Sequence, residues 1–235
     1  MAPKKKCSCL WILGLCLVAS KSSKVPRITD HKFIDECVTA HNEWRSKVSP
    51  SAGDMKYMSW DESLAKTAEA WAKKCQFMHD SCLDTPYACD KNFQYVGQNI
   101  WLGGINGFTS RVAITSWYSE VESYNFDNIS CSKVCGHYTQ VVWANSYKVG
   151  CAVADCPKLE AALFVCNYGP AGNYVNTRPY RKGEPCSLCS KEEKCVKKLC
   201  RTLFLPNKNP LLIGKAPQRM AFNSFCLAFI LVRIF

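Results

Sequence analysis

The chain has 235 residues, 17 cysteines and a formal net charge of +11 at neutral pH. That length suits one globular domain with appendages. The charge is uneven, because residues 25–176 hold 13 basic and 16 acidic side chains, whereas residues 177–219 hold 11 basic and 3 acidic ones. The mildly acidic centre argues against nucleic-acid binding, and the basic C-terminal third is either solvated or in contact with anionic headgroups or glycans.

The first 22 residues contain a lysine cluster, a short apolar run and then small residues. This is the layout of a secretory signal peptide, and the apolar run is too short to span a membrane. Three cysteines leave with this leader and Cys226 lies in the far C-terminal tail, so thirteen remain. In an oxidising compartment they predict a disulfide framework with one thiol left over. Cys37, isolated on the first predicted helix, is the candidate for that thiol.

Apolar periodicity predicts three helices. The first covers residues 30–48 and carries His41 and Arg45 on one face. The second opens at Ser59, with Glu62 completing a capping box. The third covers residues 110–124.

Glu120 shares the apolar face of the third helix. An unpaired carboxylate is costly to bury, so this side chain requires a partner.

Residues 82–109 are rich in glycine, asparagine, aspartate and proline, which predicts a loop that Cys82 and Cys89 partly close. Two strands follow at 147–156 and 162–170, joined by a short turn. Helices followed by a short hairpin indicate an α+β fold in which helices pack on a small sheet.

The composition changes after Tyr180. Residues 181–200 form a four-cysteine hinge, residues 201–219 a basic tether, and residues 220–235 an apolar tail. The tail is short for a membrane span and fits a glycolipid (GPI) anchor signal with attachment at Gly214, or a secreted protein that keeps its tail. Asn128 begins a glycosylation sequon.

Four motifs occur in order along the chain: HNEWR (41–45), GQNIW (97–101), GHYTQVVW (136–143) and FVCNYGPAGNY (164–174). With them the chain resembles the CAP superfamily of cysteine-rich secretory, antigen 5 and pathogenesis-related proteins, over about residues 30–180. The added hinge and tail resemble most the glioma pathogenesis-related protein group and its "like" relatives.

The resemblance implies an α–β–α sandwich with a three-stranded antiparallel sheet over residues 25–180, followed by the hinge. It also implies five disulfides: Cys75–Cys156, Cys151–Cys166, Cys131–Cys135, Cys186–Cys195 and Cys189–Cys200.

The family's cleft holds two histidines and two acids. By position the resemblance assigns the histidines to His79 and His137 and one acid to Glu120, whereas Gln98 stands where the second acid is expected. An amide takes no proton at neutral pH and is a poor metal ligand, but it still donates and accepts hydrogen bonds. His79, His137 and Glu120 remain a candidate zinc set, without a second carboxylate to act as general base. We assign no catalytic residue and no required cofactor.

Three classes of function follow. The favoured one is a non-catalytic protein, secreted or held at the outer face of the plasma membrane, that binds protein partners. By resemblance, sperm–egg or reproductive-tract interaction is its expected setting. The alternatives are a metal-dependent hydrolase that uses the His/Glu cleft and a carrier of sterols or fatty acids.

Overall fold

The computed structural model describes residues 25–203. The predicted signal peptide, the apolar tail, Gly214 and all but the first three residues of the tether lie outside them. No helix within residues 25–203 is long and apolar enough to cross a membrane.

The described chain contains four helices and eight strands. The helices are α1 (His31–Arg45), α2 (Glu62–Ala72), α3 (Ser110–Ser119) and α4 (Gly136–Val141). The strands are β1 (Ser59–Trp60), β2 (Gly97–Gly103), β3 (Tyr124–Asn125), β4 (Ser130–Cys131), β5 (Lys148–Cys156), β6 (Ala161–Gly169), β7 (Glu193–Val196) and β8 (Leu199–Thr202). The predicted α+β class is therefore confirmed.

The main sheet has the strand order β1-β5-β6-β2. The strands β5, β6 and β2 are antiparallel, as the resemblance implied, and the two-residue β1 adds a parallel edge. Every residue of β6 is buried, because helices cover both faces of the sheet. Helix α2 packs on one face, and α1, α3 and α4 lie on the other. This is the α–β–α sandwich.

The predicted loop 82–109 was wrong over residues 97–103, which form β2. Seven residue pairs join this strand to β6, from Gly97–Tyr168 to Gly103–Ala162. Its glycines, glutamine and asparagine have low intrinsic strand preference. Pairing with the buried strand β6 stabilises the extended conformation that the local sequence does not favour.

Two helix ends also differ from the prediction. Asp61, not Ser59, caps α2, because its carboxylate accepts the N–H groups of Ser63 and Leu64 while Ser59 pairs with β5. Helix α3 ends at Ser119, and Glu120 opens a tight 3-10 turn that replaces the predicted last helical turn. The turn redirects the chain into β3.

Six disulfides connect the fold. They are Cys75–Cys156, Cys82–Cys89, Cys131–Cys135, Cys151–Cys166, Cys186–Cys195 and Cys189–Cys200, the same pairs that the sequence and the resemblance led us to expect. Among the described residues Cys37 is the free cysteine, as predicted, and it is buried.

The cysteine-rich hinge packs closely against residues 51–57. The N–H of Cys200 donates to the Met55 carbonyl at 2.8 Å, and the N–H of Tyr57 donates to the Cys200 carbonyl at 2.9 Å. The Lys56 ammonium and the Glu193 carboxylate form an ion pair of 2.6 Å across the same junction. The β7–β8 hairpin is therefore held against residues 55–57.

Candidate functional site

Glu120 joins the end of α3 to the beginning of α4. Its Oε2 accepts the backbone N–H groups of His137 (3.0 Å) and Tyr138 (3.2 Å), and its Oε1 lies 2.7 Å from His137 Nδ1. Both carboxylate oxygens are thus engaged. The position suits a negative charge, because the N–H groups of a helix's first turn lack partners within the helix.

This contact determines how His137 presents its ring. An ionised carboxylate can only accept, so Nδ1 carries the proton and the lone pair of the neutral ring lies on Nε2. The His137 side chain is 29% exposed and that of Glu120 is 19% exposed. The indole of Trp117 lies nearly parallel to the imidazole, with ring centres 6.2 Å apart.

Gln98 orients His79 in the same way. Its Oε1 lies 3.1 Å from both the Asp80 nitrogen and His79 Nδ1, and its Nε2 donates to Asn167 Oδ1 at 3.0 Å. A backbone N–H can only donate, so the Gln98 atom that faces Asp80 is the oxygen, and His79 Nδ1 must carry a proton. His79 also keeps its lone pair on Nε2.

Two successive residues of β2 contact the segments that carry the two histidines. Gln98 holds His79 on the face that α2 covers. The next residue, Asn99, donates to the His137 carbonyl at 3.0 Å on the other face. Successive strand residues point to opposite sides. Both histidine-bearing segments are therefore held next to this edge strand, and we call the surroundings of His79 and of His137 the two half-sites of the cleft.

The predicted zinc set of His79, Glu120 and His137 is not gathered into one ligand cluster. Among residues 25–203, the one group of three metal-ligand side chains with ligand atoms within 4.8 Å of one another is Cys186, Cys189 and Cys200. Those three sulfurs belong to disulfides and are not thiolates. Glu120 orients the His137 imidazole through Nδ1, which is the role that carboxylates commonly play behind a metal-bound histidine.

A buried polar chain extends from α1 to His137. His41 Nδ1–H donates to the Cys37 carbonyl (2.8 Å), and the Tyr168 hydroxyl donates to His41 Nε2 (2.9 Å). The Asn99 amide then donates to the Tyr168 oxygen (3.3 Å) as well as to the His137 carbonyl. Burial is the largest cause that lowers the pKa of His41, to about 4, so this ring is neutral at physiological pH.

Arg45 supports α4 from its other end. Its guanidinium is buried and donates to five backbone carbonyls at 2.7–3.1 Å, those of Lys56, Val141, Trp143, Ala144 and Ser146. Burial lowers the pKa of Arg45 to about 9, and the group stays charged at neutral pH. A cation suits the C-terminal end of a helix, where carbonyls are unpaired. The HNEWR motif therefore acts as scaffold, and Arg45 is its central residue.

Gly97 has a steric reason to be glycine. A Cβ at this position would collide with Oε1 of Gln140. That oxygen accepts the N–H of Gly172 at 3.0 Å, and the Gln140 amide donates to Ser146 Oγ at 3.2 Å. The GQN and GHYTQ motifs are thus in direct contact.

Asn128 is exposed in the turn between β3 and β4, where the predicted glycan would have room. Its glycosylation stays a prediction.

A comparison with protein families supports the resemblance. The family described as "CAP: Cysteine-rich secretory protein family" matches residues 38–168, which is more than half of the chain. The chain belongs to the CAP family.

Relatives within the family agree with the group suggested by the hinge. GLIPR1-like protein 1 of Homo sapiens is 65% identical over 242 residues, which cover 100% of both chains. Glioma pathogenesis-related protein 1 of Mus musculus is 52% identical over 179 residues, which cover 76% of this chain and 68% of that protein. The crystal structure titled NaASP2 with Zn2+ has a TM-score of 0.60 at 30% identity, and the match covers 73% of this chain and 96% of that one.

Proposed function

We propose that this CAP protein is a non-catalytic recognition protein of the cell exterior. One observation carries the proposal: neither acid position of the cleft offers a carboxylate that is free to take a proton. Glu120 accepts three hydrogen bonds with its two oxygens, and Gln98 is an amide with both ends hydrogen-bonded. In a metal-dependent hydrolase the imidazole Nε2 atoms would bind the metal, so a further group would have to take a proton from water. Gln98 cannot do so, and both oxygens of Glu120 are engaged.

The rim of each half-site offers apolar side chains to a partner. Phe77 and Met78, which directly precede His79, are 62% and 59% exposed. Val134, three residues before His137, is 67% exposed. Aromatic and methionine side chains are enriched at protein interfaces, where burying them contributes most of the affinity. These residues support protein recognition at the cleft.

The test is saturable binding of the secreted protein to cell surfaces, with gametes and reproductive-tract cells examined first. The variant Phe77→Ser/Met78→Ser should weaken binding at least tenfold, since each buried anchor contributes about 1–3 kcal/mol. Leu159→Ser is the matched control, because Leu159 is also exposed but lies in the β5–β6 turn. Equal binding by all three proteins would contradict the assignment of this surface.

The hydrolase alternative has its own test. Activity on peptide or ester libraries that disappears with a chelator and with His137→Ala would overturn the non-catalytic proposal. A sterol or fatty-acid titration tests the carrier alternative, and a stoichiometric complex would support it.

Divalent-metal binding is a second candidate function, and the two free Nε2 atoms favour it. Each imidazole has its Nδ1 hydrogen bonded to an acceptor behind it, as metal-binding histidines usually do. A related protein, NaASP2, has a structure titled "with Zn2+". Calorimetric titration with zinc should show weak binding that His79→Gln and His137→Gln each reduce. If zinc binding releases the same heat in both variants as in the wild type, this candidate function is wrong.

We further propose that the protein is exported by its N-terminal segment and attached through a glycolipid at Gly214. Both inferences come from sequence outside the described residues. Release from cells by a phosphatidylinositol-specific phospholipase, together with the mass of the mature C-terminal peptide, tests them. A peptide that extends to residue 235 would contradict the anchor.

A further inference from the structure

A cavity of about 300 Å³ lies between α1 and the β7–β8 hairpin. Its volume is at the lower end of the range of small-ligand pockets, about 300–1,000 Å³. Thr39, Ser46 and Tyr57, each of which carries a hydroxyl, line it, and the buried Leu199 gives it an apolar wall. Such a mixture of hydroxyls with one apolar surface suits a sugar ring. The cavity shares no residue with the histidine cleft.

Two cations border this cavity. Lys197 lines it directly. The guanidinium of Arg201 lies 4.9 Å from the ring centre of Tyr57, another lining residue, and this contact holds it next to the cavity wall. Arginine and lysine side chains bind oxyanions, and the planar guanidinium can bind two oxygens at once.

The face of the hairpin next to the cavity adds a further charge. Lys194 pairs directly with Arg201, and Val196 with Leu199. Since alternate strand residues share a face, Lys194 and Arg201 lie on the same side as Leu199. Like charges opposite each other on adjacent strands are destabilising. This arrangement therefore lowers the stability of the hairpin unless an anion lies between them.

The tip of the hairpin shows the same preference for positive charge. Lys197 and Lys198 form its two-residue turn with φ of 50° and 67°. Turns of this kind favour asparagine and glycine, because other residues are strained at positive φ. Two disulfides, Cys186–Cys195 and Cys189–Cys200, hold the hairpin in place.

Nearby acids do not cancel this charge. Among the ion pairs of residues 25–203, none includes Lys194, Lys197, Lys198 or Arg201. Glu193 is paired with Lys56. Glu43, which lines the cavity, contacts both Lys47 and Arg111 at 2.7 Å, so that trio carries a net positive charge. Glu192, which directly precedes β7, is exposed and is the one remaining acid of residues 190–203.

We propose that this cavity binds a sulfated glycosaminoglycan, with one sulfated sugar in the cavity between Lys197 and Arg201. The chain then continues along Lys194 and Lys198. The concave, hydroxyl-lined shape favours a sugar over a phospholipid surface, which would need only exposed charge. The proposal names a partner for an extracellular protein, and it does not depend on what the histidine cleft does.

The experiment measures binding of the secreted full chain to immobilised heparin, with desulfated heparin and vesicles containing phosphatidylserine as parallel surfaces. The test variant is Lys197→Asn/Arg201→Gln, in which asparagine suits the positive φ of the turn. The matched control is Lys91→Asn/Lys158→Gln, which removes two exposed lysines elsewhere. Thermal unfolding confirms that each variant folds.

The test variant should bind heparin about tenfold more weakly or worse, because it loses two charge-assisted contacts. The slope of log affinity against log salt should decrease by about two, as for other linear polyanions that lose two charge contacts. The control should retain most of the affinity. An equal loss in both variants, undiminished binding by the test variant, or binding to vesicles without binding to heparin would overturn the proposal.

A footprinting measurement on the unmodified protein avoids the question of folding. Heparin should protect Lys194 and Lys197 from acetylation while Lys91 and Lys158 stay reactive. Protection of all four lysines would indicate diffuse charge attraction, and the assigned cavity would then be wrong.

Discussion

Replacing Glu120 by glutamine tests how the cleft sets the proton position on His137. In the structure one carboxylate oxygen accepts two backbone N–H groups of α4 and the other accepts from His137 Nδ1. In Glu120→Gln the amide oxygen stays with the two backbone donors, because it is the one acceptor of the new side chain and can satisfy both of them. The amide NH2 then faces Nδ1. The imidazole must move its proton to Nε2, and the free lone pair is lost from the cleft.

The structure gives the size of the effect. A hydrogen bond to a charged group contributes about 1.5–3 kcal/mol and a neutral one about 0.5–1.5 kcal/mol. A charge at a helix N-terminus adds about 0.3–1 kcal/mol. The Glu120 side chain is 19% exposed, so water recovers part of the loss. We therefore expect a cost of about 1–2 kcal/mol for Glu120→Gln and about 3 kcal/mol for Glu120→Ala, which leaves all three donors without an acceptor.

Two measurements check this prediction. The 15N chemical shifts of the His137 ring should show protonated Nδ1 in the wild type and protonated Nε2 in Glu120→Gln. In chemical denaturation the free energy of unfolding should decrease from the wild type to Glu120→Gln and again to Glu120→Ala. Glu122→Gln is the control, because Glu122 is exposed in the same turn, and it should change stability by less than about 0.5 kcal/mol. An unchanged proton position, or an alanine variant as stable as the glutamine variant, would refute the reasoning.

Three further predictions follow from the same contacts. Gln98→Glu should tighten zinc binding at His79 about tenfold, since a carboxylate behind an imidazole makes the imidazole a better ligand. Calorimetry measures the zinc affinity, with Gln94→Glu as the control, and a Gln98→Glu affinity equal to that of the wild type would contradict the prediction. Arg45→Met should lower the free energy of unfolding by about 4 kcal/mol or more, because several buried carbonyls lose their donor. The control Arg111→Met removes an exposed ion pair and should lower it by less than about 1 kcal/mol. The free energy of unfolding should fall by about 3 kcal/mol from His41 alone as the pH decreases from 6.5 to 4. In this range the unfolded chain binds a proton at His41, whereas the folded chain does not, because folding lowers the pKa of His41 to about 4. In His41→Gln that part of the pH dependence should vanish, and an identical slope in the two proteins would count against it.

The sequence predicted the parts of the fold that depend on local pattern. The strands β5 and β6 were predicted because both are continuous apolar runs, and α1 because its apolar residues recur at helical spacing. The strand β2 was missed because its residues favour loops and its pairing with β6 is a long-range event. Ser59 was mistaken for a helix cap because its pairing with β5 is also long-range.

The site could be predicted only in part for the same reason. Glu120 was expected to face inward and to need a partner, and the structure supplies one in the first turn of α4. The sequence near α4 does not predict this partner, because α4 has only six residues and no capping side chain of its own. The roles of His79 and Gln98 came from resemblance. The orientation of the Gln98 amide depends on Asp80 and Asn167, and the latter is 69 residues away.

The pairing of β2 with β6 limits how the chain can change in length. Gln98 and Asn99 serve opposite faces, so an insertion or deletion of one residue between Gly97 and Ile100 would exchange their faces and detach both histidines at once. Point substitutions within this stretch leave that assignment of faces intact. Length variation among homologues should therefore accumulate on either side of the strand and not within these four residues.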